Sequence, residues 1–205
     1  MNDNHEKILT ALSRVPLAST QQLAVLNQSL NSRKKASRLC RELEQDGLLK
    51  GMWHGKCRVW TLSKRGRKLK NITRTKSLKN FNHTLAIAQL YFDLGCPDRF
   101  LFEPAHKFSH LGKTLVWEPD AVYVHDKKVW CAEVQLTPLS SGRWSKKWKV
   151  YSDYFNNGHF EKARFQEWSS KPILPRFVVY SDQSEETIRN GFNVKSRELS
   201  IISRN

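Results

Sequence analysis

The chain has 205 residues, a formal net charge of +16 and a hydrophobic content of 39%. That length allows one large domain or two small ones, and the composition is unlike that of a disordered chain. No apolar run is long enough to cross a bilayer, and the opening MNDNHEK lacks the apolar centre of a signal peptide. We therefore expect a cytoplasmic protein. Its four widely spaced cysteines form no CxxC pair and predict free thiols.

The positive charge is concentrated at one end of the chain. Residues 1–79 contain 18 Lys and Arg against 5 Asp and Glu, whereas residues 80–205 contain 17 against 14. A segregated excess of cations indicates a polyanionic partner, most often nucleic acid. A membrane surface or a requirement for solubility would also explain basic charge.

The first 47 residues carry the pattern of three helices. Apolar side chains at helical spacing predict a helix over residues 5–13, and Ser19 or Thr20 can cap a short second helix. The third helix starts near Ser32 and ends at Gly47, the residue type preferred just after a helix. Its basic side chains point away from an apolar stripe formed by Ala36, Leu39, Cys40 and Leu43.

Two β-like runs, residues 48–53 and 58–62, predict a hairpin around His54-Gly55-Lys56. Three helices and a hairpin, with the segment DGLL…VWTLSKRG, resemble the winged helix-turn-helix domain of bacterial transcriptional regulators. In that domain the third helix enters the major groove and the wing contacts the backbone or minor groove. The resemblance implies DNA contacts by Arg33, Lys34, Lys35, Arg38 and Arg41 of the helix and by Lys56 and Arg58 of the wing. A solvated basic face without a ligand is the alternative.

The predicted organisation is a winged helix domain over 1–70, a basic linker over 71–80 and a second domain over 81–205. The linker lacks apolar periodicity and can lie along DNA phosphates. In the second domain we predict helices over 83–94, from about 142 onward and over 184–191, and strands over 100–102, 121–125, 129–135, 176–181 and 199–202. The second helix carries an aromatic stripe of Trp144, Trp148, Tyr151 and Phe155. This order predicts an α/β (α+β) core with a mixed sheet.

Oxygen-bearing side chains lie beside and within the hairpin formed by strands 121–125 and 129–135. The turn of this hairpin is Asp126-Lys127-Lys128. Asp120 precedes the first strand, and Glu133 and Gln135 lie on one face of the second because side chains alternate. A register that sets Asp120 beside them would form a site suited to Mg²⁺ or Mn²⁺. Acidic residues at the ends of hairpins are also common without a metal, so a structural role remains open.

The second domain resembles a PD-(D/E)xK nuclease-type fold. The resemblance rests on Pro119-Asp120, on Glu133-Val134-Gln135, on the following helix with Lys146, Lys147, Lys149 and Tyr151, and on the strand Phe177-Val178-Val179-Tyr180. Together with the N-terminal winged helix, it makes the whole chain similar to the replication-relaxation family of plasmid and mobile-element proteins.

The nuclease resemblance implies roles for the hairpin residues. Asp120 and Glu133 would bind Mg²⁺ or Mn²⁺, with the Val134 carbonyl as a third ligand. Gln135 stands at the position of the motif lysine, so one positive charge that would stabilise the transition state is missing. The candidate replacements are Lys146 and Lys149 of the following helix, and the candidate extra ligand is Glu103.

Three functional hypotheses follow. The first is a DNA-binding accessory protein of plasmid or mobile-element replication, relaxation or transfer, whose nuclease-like domain cleaves weakly or not at all. The second is a metal-dependent DNA endonuclease that uses Asp120, Glu133, Gln135 and Lys146. The third is a transcriptional regulator with a C-terminal dimerisation or sensing domain. The expected partners are double-stranded DNA, other mobile-element proteins and a second copy of the chain, with no membrane.

Overall fold

A computed structural model describes residues 2–26, 32–72, 80–194 and 198–202. The chain forms two compact units, Met1–Asp98 and Arg99–Asn205. The helix Phe81–Asp93, which the sequence analysis assigned to the second domain, groups with the first unit. Most of the predicted linker, residues 73–79, lies outside the described residues. No described helix has both the length and the apolar content required to span a membrane.

In its described residues the first unit contains the three predicted helices and the predicted hairpin, in that order, followed by two further helices. Its elements are α1 (Asp3–Arg14), β1 (Ala18–Ser19), α2 (Thr20–Leu23), α3 (Arg33–Gln45), β2 (Leu49–His54), β3 (Cys57–Leu62), α4 (Lys64–Leu69) and α5 (Phe81–Asp93). Strands β2 and β3 pair antiparallel, and β1 pairs with the other edge of β3. The α3 stripe predicted from the sequence is fully buried, which confirms that α3 turns its basic side chains away from the core.

Three serines define where helices of this unit begin. The side chain of Ser19 accepts a hydrogen bond from the Gln22 amide, and the Gln22 side chain accepts one from the Ser19 amide, which completes a capping box. Ser32 and Ser63 cap α3 and α4 in the simpler one-bond manner. Each such cap contributes about 1 kcal/mol because it satisfies an otherwise unpaired backbone donor.

The second unit is built on a five-stranded mixed sheet with the order β10-β9-β8-β7-β4. Its strands are β4 (Phe100–Phe102), β7 (Ala121–His125), β8 (Lys128–Val134), β9 (Arg176–Tyr180) and β10 (Leu199–Ile202). Strands β8, β9 and β10 run parallel, whereas β7 and β4 are antiparallel to their neighbours. The mixed sheet and its helices confirm the predicted α/β class.

Helix α6 (Ser141–Asn156) connects the parallel strands β8 and β9, and α7 (Glu185–Arg189) connects β9 and β10. The predicted aromatic stripe of α6 is buried. Tyr151 and Phe155 both contact the ring of Phe177 of β9 edge-on, and their own two rings are tilted relative to each other. Aromatic side chains of this size dominate the energetics of a core. The packing therefore fixes which residues of α6 face the sheet.

Two details of the second unit differ from the prediction. The β7–β8 turn has two residues, Asp126 and Lys127, both with positive φ, so Lys128 already belongs to β8 and Gln135 follows its end. Two-residue turns with positive φ match the right-handed twist of paired strands. A separate hairpin, β5 (His106–His110) with β6 (Lys113–Trp117), was not predicted, because its residues are mostly polar and exposed.

Candidate functional site

The register of the β7–β8 hairpin brings Asp120 close to Glu133. Ala121 pairs with Ala132, so the next position along sets Asp120 opposite Glu133 on the same face of the sheet. The Asp120 amide donates to the Ala132 carbonyl at 3.1 Å, and its carboxylate Oδ2 accepts from the Val134 amide at 2.6 Å. The predicted convergence of these two carboxylates is present, and both side chains are buried.

Glu133 is held by two side chains of α6. Its Oε2 accepts a hydrogen bond from the Lys147 ammonium, and its Oε1 accepts one from the Tyr151 hydroxyl. Lys147 and Tyr151 are four residues apart and so lie on one face of the helix. Glu133 is only 2% exposed, whereas the Lys147 side chain is 27% exposed. Both oxygens of the Glu133 carboxylate therefore accept hydrogen bonds from α6.

Burial raises the pKa of the Glu133 carboxyl to about 8, and the nearby Asp120 carboxylate adds to the rise. Lys147 and Tyr151 act in the opposite direction because they donate to the ionised form. Burial also lowers the pKa of Lys147, but Glu133 and Asp120 more than offset this, so its pKa is raised overall. Lys147 is thus a fixed positive charge beside the Glu133 carboxyl at neutral pH.

Lys147, and not the predicted Lys146, reaches the carboxylates. Lys146 is exposed, and Lys149 forms an ion pair with Asp153 at 3.5 Å. The reason is the helix period: Lys147 follows the buried Trp144 by three residues and precedes the buried Tyr151 by four, so it shares their sheet-facing side. The predicted replacements, Lys146 and Lys149, are both exposed, and the spacing of Lys147 from the residues of the aromatic stripe is the signal that would have identified it.

Glu103 adds a further carboxylate at the same edge of the sheet. It directly follows β4, its amide donates to the Asp120 carbonyl at 2.8 Å, and the two carboxylates have oxygens within 4.8 Å of each other. Gln135 follows β8, and its amide donates to the Tyr180 carbonyl at 2.8 Å. Oxygen donors of this kind fit Mg²⁺ or Mn²⁺. The carboxylate oxygens of Asp120 and Glu103 lie close enough together for one such ion to contact both.

The predicted DNA-contacting residues of α3 form an exposed surface. Lys34, Arg38 and Arg41 follow one another at intervals of four and three residues and are all exposed, so they make a continuous stripe opposite the buried face. Arg38 also lies 3.5 Å from Glu42 on the same helix. Arg33 is exposed in the first turn, and Lys35 is half-buried.

The two predicted residues of the β2–β3 hairpin have different surroundings. Lys56 is exposed at the turn. Arg58 instead forms an ion pair with Glu44 of α3 at 2.7 Å, and its guanidinium carbon lies 4.7 Å from the centre of the Trp60 ring. Glu44 also accepts from the Gly51 amide at 2.8 Å, so this one carboxylate fixes the hairpin to α3. Arg58 serves to hold that connection.

Comparison with protein families identifies the relatives of this chain. The family model described as Replication-relaxation matches residues 9–166, which is most of the chain. The chain belongs to the replication-relaxation family. The matched residues include α3 and its basic stripe in the first unit, and the buried carboxylates and Lys147 in the second. The description of the family names replication and relaxation.

One solved structure, protein VC1899 from Vibrio cholerae, is similar to this chain. The alignment covers 97% of this chain and 48% of that one at 12% identity, with a TM-score of 0.32. This chain spans about half the length of that protein, and the likeness is too weak to transfer a fold or a function. A comparison with curated proteins found no match.

Proposed function

We propose that this replication-relaxation protein binds double-stranded DNA through its N-terminal unit, which acts as a winged helix, and that it serves as an accessory factor in DNA processing. The observation that carries the proposal is the exposed stripe of Lys34, Arg38 and Arg41 on the third helix. Arg and Lys on such a helix contact guanine edges and phosphates in the major groove. The concentration of cations in residues 1–79 supplies the long-range attraction.

Fluorescence anisotropy with labelled duplex DNA tests this proposal. We expect Lys34→Ala, Arg38→Ala and Arg41→Ala in combination to weaken binding by about tenfold or more. The matched control removes three exposed lysines of the second unit, Lys107, Lys113 and Lys162, and so changes the net charge equally. Equal affinity losses in the two variants would show that binding follows net charge alone and that α3 makes no specific contact.

We further propose that the second unit does not cleave DNA efficiently. Both oxygens of Glu133 are occupied by Lys147 and Tyr151, and its raised pKa favours the protonated form below about pH 8. A protonated or ion-paired carboxyl is a poor ligand for a divalent metal. We therefore expect the wild-type protein to leave supercoiled plasmid intact in Mg²⁺ or Mn²⁺ at pH 7.

A metal-dependent endonuclease is the second candidate, and the position of Lys147 favours it. The ammonium donates to Glu133, its pKa is raised by Glu133 and Asp120, and it provides the positive charge that Gln135 cannot. A metal ion at Asp120 and Glu103 would polarise a phosphate and activate water. Nicking of supercoiled plasmid in Mg²⁺ that is abolished by Asp120→Asn and by Lys147→Met, but retained in Lys149→Met, would establish this candidate and exclude the non-cleaving one.

A further inference from the structure

Trp53 of strand β2 is unusually exposed for its residue type. Its side chain is 70% exposed, although tryptophan is among the most buried residues on average. All seven tryptophans fall within the described part of the chain, and the other six are buried or half-buried. Tryptophan combines a large ring with a polar N–H group, which is why it is enriched at surfaces that contact other molecules.

The ring is presented on a rigid support. Trp53 pairs with Arg58 across the β2–β3 hairpin, and the Arg58 guanidinium carbon lies 6.0 Å from the Trp53 ring centre and 4.7 Å from that of the buried Trp60. Glu44 holds Arg58 from α3 at 2.7 Å. Gly51 makes the arrangement feasible, because a Cβ at this position would come within 2.7 Å of the Trp60 ring.

The opposite face of β2 is also fixed. His54 follows Trp53 and therefore points the other way. Its Nε2 lies 2.7 Å from the Asn82 side-chain oxygen, and its ring stacks on Phe81 at 5.2 Å between ring centres. Because both faces of the strand are anchored, little conformational entropy remains to be lost when Trp53 binds a partner.

We propose that Trp53 stacks on an unpaired base of single-stranded DNA. The chemistry is that of an open indole face beside cations: Lys56 is exposed three residues further on, and residues 1–79 carry a large excess of Lys and Arg. Aromatic stacking and a basic surface together are how proteins bind single strands, whereas the bases of an intact duplex have both faces covered. The inference rests on the proposed DNA-binding role of this unit and adds a second form of DNA to it.

Intrinsic tryptophan fluorescence tests the proposal on the full chain. We expect a single-stranded oligonucleotide to quench the emission more than a blunt duplex of the same sequence does, and Trp53→Phe to remove most of that quenching. Affinity for the single strand should fall by about 5-fold to 150-fold in Trp53→Ala. Trp53→Phe should retain most of the affinity, and Trp53→Leu should not, because only the phenyl ring can stack.

Val25 provides the matched control, because it is 63% exposed in the same unit and has no ring. Val25→Ala should bind the single strand as the wild type does. Unchanged single-strand affinity in Trp53→Ala, or quenching that persists in Trp53→Phe, would overturn the proposal. So would a wild-type dimer, measured by sedimentation without DNA, that Trp53→Ala converts to monomer, since a second copy would then cover the ring.

The outcome is separable from that of the proposed duplex-binding role. If the α3 variant leaves duplex affinity unchanged while Trp53→Ala weakens single-strand binding, the α3 assignment fails and the stacking site stands. If the α3 variant weakens duplex binding while Trp53→Ala leaves single-strand affinity unchanged, the stacking site fails alone.

Discussion

The buried pair formed by Lys147 and Glu133 makes stability depend on pH in a defined way. Burial can raise the pKa of a carboxyl group by up to about 5 units. In the wild type the pKa of Glu133 is about 8, because Lys147 and Tyr151 oppose the effect of burial. Lys147→Met removes the ammonium, so the pKa of Glu133 should rise further, and each unit of that rise corresponds to a loss of about 1.4 kcal/mol of stability at high pH.

The sign of the pH dependence follows from the raised pKa. A folded-state pKa above the unfolded value of 4.5 stabilises the protein at low pH, and this contribution is lost as the pH rises through the folded-state value. The wild type loses it up to about pH 8, whereas Lys147→Met continues to lose it above that pH. The variant should therefore differ more from the wild type at pH 9.5 than at pH 6.5.

Urea unfolding at these two pH values measures the effect, followed by the emission of the buried tryptophans Trp117, Trp144 and Trp148 of the second unit. Lys149→Met on the same helix is the control, because its ion pair is peripheral and should contribute less than about 1 kcal/mol. Adding Glu133→Gln to Lys147→Met removes the titrating carboxyl, so it should abolish the part of the pH dependence of stability that Glu133 contributes. A difference from the wild type that is the same at pH 6.5 and pH 9.5 would refute the reasoning.

Two further predictions concern single hydrogen-bonding groups. Tyr151→Phe removes a donor from the buried Glu133 carboxyl, so the pKa of Glu133 should rise and unfolding should cost about 1 to 3 kcal/mol less; titration of the carboxyl by NMR and urea unfolding measure the two effects. Glu44→Ala breaks the bonds to Arg58 and to the Gly51 amide, both of them half-buried, and should destabilise the first unit by about 2 kcal/mol. Glu44→Gln keeps the amide contact and should cost less; equal losses in these two variants would contradict the assigned roles.

Much of the fold could be predicted because its signals are local. The α3 stripe and the aromatic stripe of α6 follow the helical period, and both are buried as predicted. The hairpin β5–β6 escaped prediction because its strands have five residues each and only Phe108 and Trp117 are buried in them. Helix α5 was predicted to belong to the second domain but groups with the first unit, where Gln22, which is distant in sequence, donates to the Leu85 carbonyl at 2.9 Å.

The part of the candidate site that lies on one hairpin could also be predicted from local signals. The pairing register of one hairpin sufficed to bring Asp120 and Glu133 together. The contact of Lys147 with Glu133 depends on how α6 packs over the sheet. In the sequence, only the spacing of Lys147 from the aromatic stripe indicates this contact. The ion pair of Arg58 with Glu44 could not be predicted, because it joins residues that lie on separate elements. Charge in the sequence does not reveal which cations are already paired.

The central claim is that Lys34, Arg38 and Arg41 of α3 contact DNA phosphates and bases, and the salt dependence of duplex affinity tests it most directly. Each phosphate contact in B-DNA contributes about 0.9 to the slope of log affinity against log salt concentration. Changing the three residues to alanine should therefore make the slope shallower by about 2 to 3. A slope equal to that of the wild type would contradict the claim, whatever the change in affinity at a single salt concentration.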